Sequence, residues 1–243
     1  MPVPAPPTSL PAPWEKRRYV RDMFSDIAPS YDLLNRVLSL NIDRSWRRRT
    51  LERLEWGARP EGLYLDACAG TLDLAALLAT QPGFRGKVVA SDFALPMLRR
   101  GGSKVDPAKV NLTASDTLVL PFKSGTFDGA TIGFGVRNLA DLSAGFGELA
   151  RVLKPGARLV VLDCATPHFA PLRMVYLAYF RNILPLIGRL VSGHPTAYNY
   201  LPDSVLTFPP PDVLEGLMVR SGFGGTGHQL LTGGIAAVTW GVR

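Results

Sequence analysis

The sequence predicts an α/β protein built on a doubly wound, seven-stranded, mostly parallel sheet, with N-terminal helices and a helical lid. Three observations predict this fold. Beyond the first quarter of the chain, short apolar segments alternate with segments of helical period. The first apolar segment, 63–66, ends at Asp66 and passes through a turn of small residues into a helical pattern that continues to Leu78. The second, 87–92, also ends in an acidic residue, so we expect Asp66 and Asp92 at the same edge of the sheet.

The turn after the first strand indicates which kind of cofactor the fold can bind. A dinucleotide site needs Gly-x-Gly-x-x-Gly here, so that the backbone can approach a pyrophosphate. This turn has a single glycine, Gly70, and a bulky Leu72, which argue against close phosphate contact. S-adenosylmethionine carries no phosphate, and one glycine suffices where only its methionine part crosses the turn. We therefore expect S-adenosylmethionine as the cofactor.

Asp92 is expected to bind the ribose of that cofactor. A carboxylate at the end of the second strand can accept hydrogen bonds from both ribose hydroxyls, as in nucleoside-binding doubly wound sheets. The alternative is a structural role, in which Asp92 caps the helix that begins near Ala94.

The third predicted strand, 110–114, is followed by Asp116 and Thr117. An aspartate here can accept from an adenine amino group, and the next backbone N–H can donate to the ring; the alternative is an Asx or ST turn. With Asp66 and Gly70 in register, the nucleoside interpretation is favoured.

The rest of the sheet follows from the same alternation. The remaining elements are predicted as a helix 93–100, a strand 127–134, a helix 142–153, a strand 158–163, a helix 211–221 and a strand pair 223–231 and 235–242. The helix 142–153 is expected to stop at Lys154-Pro155-Gly156. The fourth strand runs into Arg137 and Asn138, which places polar groups over the methyl-donor crevice.

Residues 14–56 predict a helical cap outside the sheet. Apolar residues recur at helical spacing around a break at Pro29, and Asn41 or Asp43 is expected to cap a further helix that runs to about Glu55. That helix carries five arginines, most of them expected on a solvated basic face: Arg44, Arg47, Arg48, Arg49 and Arg53.

A second helical region, 171–210, is predicted to be a lid over the crevice. Its apolar part, 172–191, contains three arginines and a proline, which argue against a membrane-spanning helix. Together with the basic helix it predicts a peripheral encounter with a membrane surface. The proline-rich residues 1–13 predict a disordered tail.

Composition fits one globular domain, 14–243, behind that tail. The chain has 243 residues, 47% of them hydrophobic and 19% charged. Cys68 and Cys164 show no metal-ligand spacing, so no metal site is expected, and a reducing cytoplasm is the natural location. The net charge of +7 suits an anionic partner, a lipid surface or a nucleic acid. We expect no nucleic acid, because no aromatic and basic binding module accompanies the charge.

Four longer motifs resemble the menaquinone and ubiquinone biosynthesis C-methyltransferases. They are Tyr31-Asp32-Leu33-Leu34-Asn35, Phe134-Gly135-Val136-Arg137-Asn138, Arg151-Val152-Leu153-Lys154-Pro155-Gly156 and the segment 197–204. The resemblance runs from about Val20 to the C-terminus. It implies a Rossmann-like class I methyltransferase that methylates a ring carbon of a polyprenyl quinol, with demethylmenaquinol as the expected acceptor and menaquinol as the product; whether the chain forms a homodimer stays open.

The resemblance also implies particular site residues. The cofactor site would be made by Thr71, Asp92, Asp116, Thr117 and Gly133. The sequence departs from the family pattern at several positions: Leu72 stands where Gly or Ala is frequent, Asp43 where His is frequent, Gly133 for a common Ser, Ala157 for Gly and Asp163 for Glu.

The expected chemistry assigns roles to the motif at the fourth strand. A quinol ring carbon becomes nucleophilic when the neighbouring hydroxyl, with a phenolic pKa near 10, loses its proton. Arg137 is expected to stabilise the oxyanion and Asn138 to orient the ring. His168, His194, Tyr198 and Tyr200 are weaker candidates for a catalytic role.

Three other functions remain open at this stage. The acceptor could be a benzoquinol of the ubiquinone type, or another small lipid or phenol. An RNA methyltransferase is disfavoured for the reason given above. A cofactor-binding assembly subunit without catalysis is a further alternative, which the departures at Leu72 and Gly133 suggest.

Overall fold

The computed structural model describes residues 10–12, 14–179 and 197–243. Its strands are β1 (Leu63–Ala67), β2 (Lys87–Asp92), β3 (Val110–Ala114), β4 (Phe127–Gly133), β5 (Leu153–Cys164), β6 (Gly224–Leu231) and β7 (Ala236–Val242). They form one seven-stranded sheet in the order β3-β2-β1-β4-β5-β7-β6. The first five strands are parallel, and β7 runs antiparallel to both β5 and β6. The predicted fold class is confirmed.

Helices surround this sheet. They are α1 (Lys16–Ile27), α2 (Tyr31–Ser39), α3 (Asp43–Leu54), α4 (Asp73–Ala79), α5 (Leu95–Gly101), α6 (Leu142–Val152), α7 (Ala170–Ala178), α8 (Ala197–Thr207) and α9 (Pro211–Arg220). A short 3₁₀ helix, Val136–Asn138, follows β4. The predicted break at Pro29 is present, because α1 ends at Ile27 and α2 begins at Tyr31.

The order of the strands reverses between β1 and β4. From β1 the chain moves outward to β2 and β3, and it then returns to β4 on the other side of β1. Open α/β sheets bind ligands at such a switch point, beyond the carboxyl ends of the strands. The ends of β1, β2 and β4 therefore define where a site is expected.

Apolar layers hold the helices on the sheet. The centre of β5, residues 159–162, is almost completely buried, as expected for a strand covered on both faces. On one face α6 and α9 pack through Phe146 and Met218; on the other, α3 and α4 pack through Trp46 and Leu78. A smaller cluster joins α1, α7 and α8 into a cap, with Val20, Met23, Ile27, Tyr176, Tyr200 and Val205 buried in it.

The structure corrects the predicted start of β5. The strand begins at Leu153, which pairs with Phe127, and it passes through Lys154-Pro155-Gly156 rather than starting after them. The register shifts in the interval between Phe127 and Gly129, where proline cannot donate to the ladder. A proline and a glycine therefore mark an irregularity inside a strand, not a loop.

The predicted cap of α3 is also wrong. Ile42 occupies the N-cap position, and no side chain caps this helix. Asp43 instead accepts a hydrogen bond from Ser39 (2.8 Å) and forms an ion pair with Arg47 (3.3 Å). Its carboxylate thus joins α2 to α3, and the pairing with Arg47 gives its charge a partner in a buried position.

The five arginines of α3 do not form one basic face. Arg47 is buried, and Arg53 lies 4.4 Å from the ring centroid of Trp240. Arg49 forms an ion pair with Glu52. Arg44 and Arg48 are exposed and have no ion pair among the described residues. The predicted solvated face is therefore restricted to Arg44, Arg48 and Arg49.

The predicted tail lies largely outside the described residues, and the predicted lid lies partly outside them. Of the lid, the structure describes residues 171–179, which lie in and just after α7, and the residues from 197 onward. The part of the apolar segment 172–191 after residue 179 lies outside the described residues. Within the described residues, no helix is long and apolar enough to cross a membrane.

Leu72 generates the first testable prediction. It takes a left-handed backbone conformation (φ +68°), although its side chain is completely buried against Gly101. This conformation costs a non-glycine residue about 1–2 kcal/mol, whereas burying a leucine side chain contributes about 2–5 kcal/mol. We expect Leu72→Ala to lower the free energy of unfolding by about 2–5 kcal/mol. Leu72→Gly should lower it by about 1 kcal/mol less, because glycine relieves the strain.

Urea unfolding followed by circular dichroism measures both variants. Leu78 is the matched control, since it is equally buried but lies inside α4. There the order should reverse, with glycine about 1 kcal/mol less stable than alanine. A glycine variant at position 72 that is less stable than the alanine variant would contradict the assigned strain.

Candidate active site

A cleft opens at the carboxyl ends of β1, β2, β3 and β4. Its walls come from the turns after these strands and from α1, α2 and α5. The residues that line it are Arg17, Phe24, Tyr31, Cys68, Gly70, Asp92, Phe93, Met97, Ser115, Asp116, Thr117, Leu118, Gly133, Phe134, Gly135, Asn138, Leu139 and Ala140. The position is the one that the switch in strand order predicts.

The cleft brings together most of the residues that the sequence predicts for the site. Six of them line it: Gly70, Asp92, Asp116, Thr117, Gly133 and Asn138. Three others, Asp66, Thr71 and Arg137, lie behind its walls, where their side chains bind other parts of the protein.

Asp92 and Gly70 are held together at the floor of the cleft. The backbone N–H of Gly70, at φ +53°, donates to one carboxylate oxygen of Asp92 (2.8 Å), and that of Ala94 donates to the other (2.8 Å). Asp92 is not the cap of α5, whose N-cap position is occupied by Ala94 without a side-chain cap; it binds the backbone just before that helix. Each oxygen keeps a second lone pair, so the carboxylate can still accept from a ligand. Burial raises the pKa of Asp92 to about 6, although backbone donors oppose the rise.

Asp116 and Thr117 form the side of the cleft beyond β3. One oxygen of Asp116 accepts from the backbone N–H of Leu118 (2.8 Å), which is the predicted Asx turn. The other oxygen contacts the guanidinium of Arg17, which reaches over from α1. The hydroxyl of Thr117 lies 3.3 Å from the Cys68 sulfur. A ligand that takes Asp116 must therefore displace or share Arg17.

Asp66 supports the site from beneath. Its oxygens accept from the hydroxyl of Thr131 on β4 (2.8 Å) and from the backbone N–H of Ala75 in α4 (3.0 Å). Burial raises its pKa to about 7, against these two hydrogen bonds. Asp66 thus joins β1, β4 and the start of α4, and the structure does not bring it to the cleft.

Thr71 connects the turn to the N-terminal helices. Its hydroxyl donates to Asp32 of α2 (2.6 Å), and Lys104 bridges Asp32 and Asp73 at 2.7 Å each. Partial burial alone would raise the pKa of Asp32, but the hydrogen bonds from Lys104 and Thr71 outweigh it and lower that pKa. The turn after β1 is therefore tied to α2 by charge-assisted hydrogen bonds.

Gly133 lines the cleft where the resemblance implies a more frequent serine. A Cβ atom at this position would lie 2.7 Å from Leu74 of α4. Leu74 is itself buried in the core. The side chain of Leu74 thus occupies the room that a serine would need, which gives the departure a packing reason.

Asn138 presents an amide to the cleft. Its oxygen accepts from the hydroxyl of Tyr200 on α8 (3.1 Å), and its nitrogen donates to the Phe134 carbonyl (3.3 Å). Burial raises the pKa of Tyr200 to about 12, so the phenol keeps the proton that it donates. This pairing fixes the amide so that the nitrogen, with one hydrogen left, is the donor available to a ligand.

Arg137 lies under the same loop, and its side chain is buried. Its guanidinium binds the carboxylate of Asp163 and donates to the Phe134 carbonyl (2.7 Å). Burial alone would lower the pKa of Arg137, but Asp163 outweighs it and raises the pKa, so the group stays charged. Its Nε has no hydrogen-bond partner among the described residues.

Other residues at the cleft were not predicted for the site. Arg17 and Lys16 come from α1; the Lys16 ammonium donates to the carbonyls of Arg137 (3.0 Å) and Leu139 (2.7 Å). Burial and the charge of Arg137 lower the pKa of Lys16. The sequence signal for these residues is the basic run Lys16-Arg17-Arg18 at the start of a helical pattern. Such a run does not indicate which part of the fold its side chains contact. Tyr31, at the start of α2, completes the wall.

The structure describes the side chains of two of the four weaker catalytic candidates. His168 is exposed, and Tyr200 is buried against Asn138. His194 and the side chain of Tyr198 lie outside the described residues. Across the described part of the chain, no group of His, Cys, Asp and Glu could hold a metal ion.

Solved structures share this fold. A SAM-dependent methyltransferase from Thermotoga maritima has a TM-score of 0.65 at 18% identity, covering 91% of this chain and 99% of the other. A SAM-dependent methyltransferase from Aquifex aeolicus has a TM-score of 0.58 at 18% identity, covering 95% and 97%. These similarities show that the chain shares the fold of these methyltransferases.

Sequence comparison identifies the family. A demethylmenaquinone methyltransferase of Thermus thermophilus is 46% identical over 91% of this chain and 100% of its own length. A ubiquinone/menaquinone biosynthesis C-methyltransferase of Geobacter sulfurreducens is 42% identical over 94% and 90%. The model of the ubiE/COQ5 methyltransferase family matches residues 14–243. The chain therefore belongs to the ubiE/COQ5 methyltransferase family, and it is a C-methyltransferase whose methyl donor is S-adenosylmethionine.

Proposed function

We propose that the enzyme methylates a ring carbon of a polyprenyl quinol, and that demethylmenaquinol is the acceptor, giving menaquinol. The observation that carries this is a cleft with a ribose-type carboxylate at one end and a fixed amide among aromatic side chains at the other. The Thermus thermophilus relative is a demethylmenaquinone methyltransferase, which supports the naphthoquinol over a benzoquinol.

The residues at the floor of the cleft fit the cofactor. Asp92 would accept from the ribose hydroxyls, and the Gly70 turn would hold the methionine part, with no phosphate to accommodate. Asp116 and Thr117 would bind the adenine once Arg17 moves aside, with Gly133 beneath. Asp66 and Thr71 would act indirectly, by fixing the turn. When bound, S-adenosylmethionine supplies an electrophilic methyl group that needs only an aligned nucleophile.

Asn138 and Arg137 would act on the acceptor. The Asn138 amide, fixed by Tyr200, would donate to a quinol oxygen and orient the ring. Arg137 would stabilise the phenolate electrostatically from beneath the loop, since its charge is maintained although its side chain is buried behind the wall of the cleft. The aromatic rings of Tyr31, Phe93 and Phe134 would exclude water from the reacting carbon.

We further propose that the enzyme meets its acceptor at the cytoplasmic face of a membrane. A polyprenyl chain partitions into the bilayer, so the enzyme must reach the lipid surface to bind the quinol head. The net charge of +7 favours an anionic surface.

The assignment of the acceptor is tested by product analysis. Purified enzyme is incubated with S-adenosylmethionine and either demethylmenaquinol or a benzoquinol of the same prenyl length. Mass spectrometry should show addition of one methyl group to the naphthoquinol ring at a rate at least tenfold above the benzoquinol. Methylation of neither quinol, by enzyme that binds S-adenosylmethionine, would favour the non-catalytic subunit. Equal rates would refute the preference.

Asp92 provides a direct prediction on the cofactor. Asp92→Ala should weaken S-adenosylmethionine binding by roughly 2–4 kcal/mol, because hydrogen bonds to a carboxylate contribute about 1.5–3 kcal/mol each and less than additively. The wild-type affinity should fall as the pH is lowered through about 6, since protonation of Asp92 removes an ionised acceptor. Isothermal titration calorimetry measures both effects.

The matched control is Asp106→Ala. Asp106 is exposed, and its carboxylate also accepts from a backbone N–H two residues on, that of Ala108. This variant should bind S-adenosylmethionine like the wild type. An unchanged affinity for Asp92→Ala would remove Asp92 from the cofactor site.

Arg137 and Asp163 provide a prediction that separates catalysis from stability. Arg137→Ala should lower kcat by about two to three decades, as for loss of one oxyanion donor, and leave cofactor affinity nearly unchanged. It should also lower the free energy of unfolding by about 3–5 kcal/mol, because Asp163 is left as a buried, uncompensated charge.

The double variant Arg137→Met, Asp163→Asn distinguishes the two effects. It removes the stranded charge, so most of the lost stability should return while kcat stays low. Stability is measured by urea unfolding, and kcat by product formation at saturating quinol. Recovery of kcat together with stability would mean that Arg137 has a structural role alone.

A further inference from the structure

Helix α2 and the turn that follows it expose an apolar stripe. The exposed fractions are 57% for Leu33, 38% for Val37, 78% for Leu40 and 38% for Ile42. Leu33 and Val37 are spaced i and i+4, which places them on one side of α2, and Leu40 follows at its C-terminal end. Leu40 and Asn41 have positive φ (+51° and +62°), so the backbone turns sharply where Leu40 protrudes. The four residues are called the α2 stripe below.

Three exposed arginines border the α2 stripe. Arg36 lies on the same face of α2, three residues after Leu33, while Arg44 and Arg48 come from α3. All three line a shallow depression between α2, α3 and α4. None of the three has a salt bridge among the described residues.

The acidic residues of that depression are already paired. Asp43 and Asp73 pair with Arg47, and Asp32 and Asp73 pair with Lys104. With Arg36, Arg44 and Arg48, five cations face three carboxylates, so this surface keeps a net charge of about +2. Apolar side chains beside uncompensated arginines are typical of helices that lie in the interface of an anionic bilayer.

The opposite face of α2 belongs to the cleft. Tyr31 lines the cleft, and Asp32 accepts the hydrogen bond from Thr71 in the turn after β1. One short helix thus presents its apolar stripe outward and a cleft wall inward. A surface that receives the stripe would lie directly beside the wall of the site.

We propose that the α2 stripe and Arg36, Arg44 and Arg48 form the docking surface for an anionic phospholipid bilayer. The stripe inserts between headgroups, and the arginines bind their phosphates. This inference rests on the proposed membrane quinol, since it names the surface through which the enzyme reaches it. The sequence predicts that the whole basic helix α3 meets the membrane. This proposal keeps only Arg44 and Arg48 of that helix, because Arg47 and Arg53 bind other parts of the protein.

Vesicle co-sedimentation of the full chain tests the proposal. The probes are vesicles of phosphatidylcholine with phosphatidylglycerol and vesicles of phosphatidylcholine alone. We expect binding to the anionic vesicles, with the partition coefficient falling about fivefold for each arginine removed in Arg36→Gln, Arg44→Gln. Leu33→Ser, Val37→Ser should lower it about tenfold.

Matched controls carry the same substitutions elsewhere. Arg99→Gln, Arg100→Gln changes two exposed arginines of α5, and Val213→Ser, Val219→Ser changes two residues of α9 that are 45% and 53% exposed. Both should bind like the wild type. A similar loss in these controls, or a loss confined to Met174→Ser, Val175→Ser on the exposed side of α7, would overturn the assignment to α2.

Hydrogen exchange of the wild type gives a readout that needs no variant. Anionic vesicles should slow exchange of amides in 31–42 and leave α9 unchanged. Absence of any protection in 31–42 on vesicle-bound enzyme would refute the proposal.

Two activity assays separate this inference from the proposed function. The stripe and arginine variants should methylate a water-soluble quinol without a prenyl chain at the wild-type rate. With demethylmenaquinol embedded in anionic vesicles, their rates should fall about as much as their binding. If the wild type methylates neither quinol, the proposed function fails. If the variants keep full activity on the embedded quinol, the docking surface fails.

Discussion

The backbone turn after β1 is the constraint on which the site depends. Three of its residues, Cys68, Gly70 and Leu72, have positive φ (+50°, +53° and +68°). Two of them are not glycine, so the conformation is strained and must be held by its surroundings. The hydrogen bond from Gly70 to Asp92 and the burial of Leu72 against Gly101 hold it. The hydrogen bond from Gly70 also fixes the Asp92 carboxylate in the cleft. The same contact therefore maintains the strained turn and the position of this carboxylate.

The buried charged groups in and around the site fall into two kinds, carboxylates without an ion pair and a paired cation. Asp92 and Asp66 accept hydrogen bonds from backbone or hydroxyl donors without a cation, and burial raises both of their pKa values. Arg137 and Asp163 compensate each other, so that a positive charge persists under the loop that carries Asn138. An ionised carboxylate with free acceptor capacity would suit hydroxyl ligands, and a permanent cation would suit a developing phenolate. The two ends of the cleft thus differ in electrostatics as the two substrates do.

Much of the fold could be predicted from the sequence because buried parallel strands are short apolar runs with polar ends. β2 and β3 begin and end at the predicted residues. β5 begins earlier than predicted, because Pro155 and Gly156 can lie inside a strand where the ladder is irregular. The sequence correctly predicts that Asp66 lies at the edge of the sheet that carries the site. It could not predict that the side chain lies behind the wall of the cleft, because its partners Thr131 and Ala75 are set by packing. Arg17 could not be predicted, because its contact with Asp116 depends on how α1 folds over the sheet.

The N-terminal helices link the outer surface of the protein to the turn after β1. α2 begins with Tyr31 in the cleft wall, and Asp32 joins Thr71 and Lys104, which in turn binds Asp73 at the start of α4. Any force on α2 therefore acts on the turn that positions Asp92, through charge-assisted hydrogen bonds of 2.6–2.7 Å. A helix that lies on lipid and also forms the wall of the cleft would bring the acceptor head and the methyl donor to one place. The mixed character of α2, apolar outward and polar inward, would follow from such a double role.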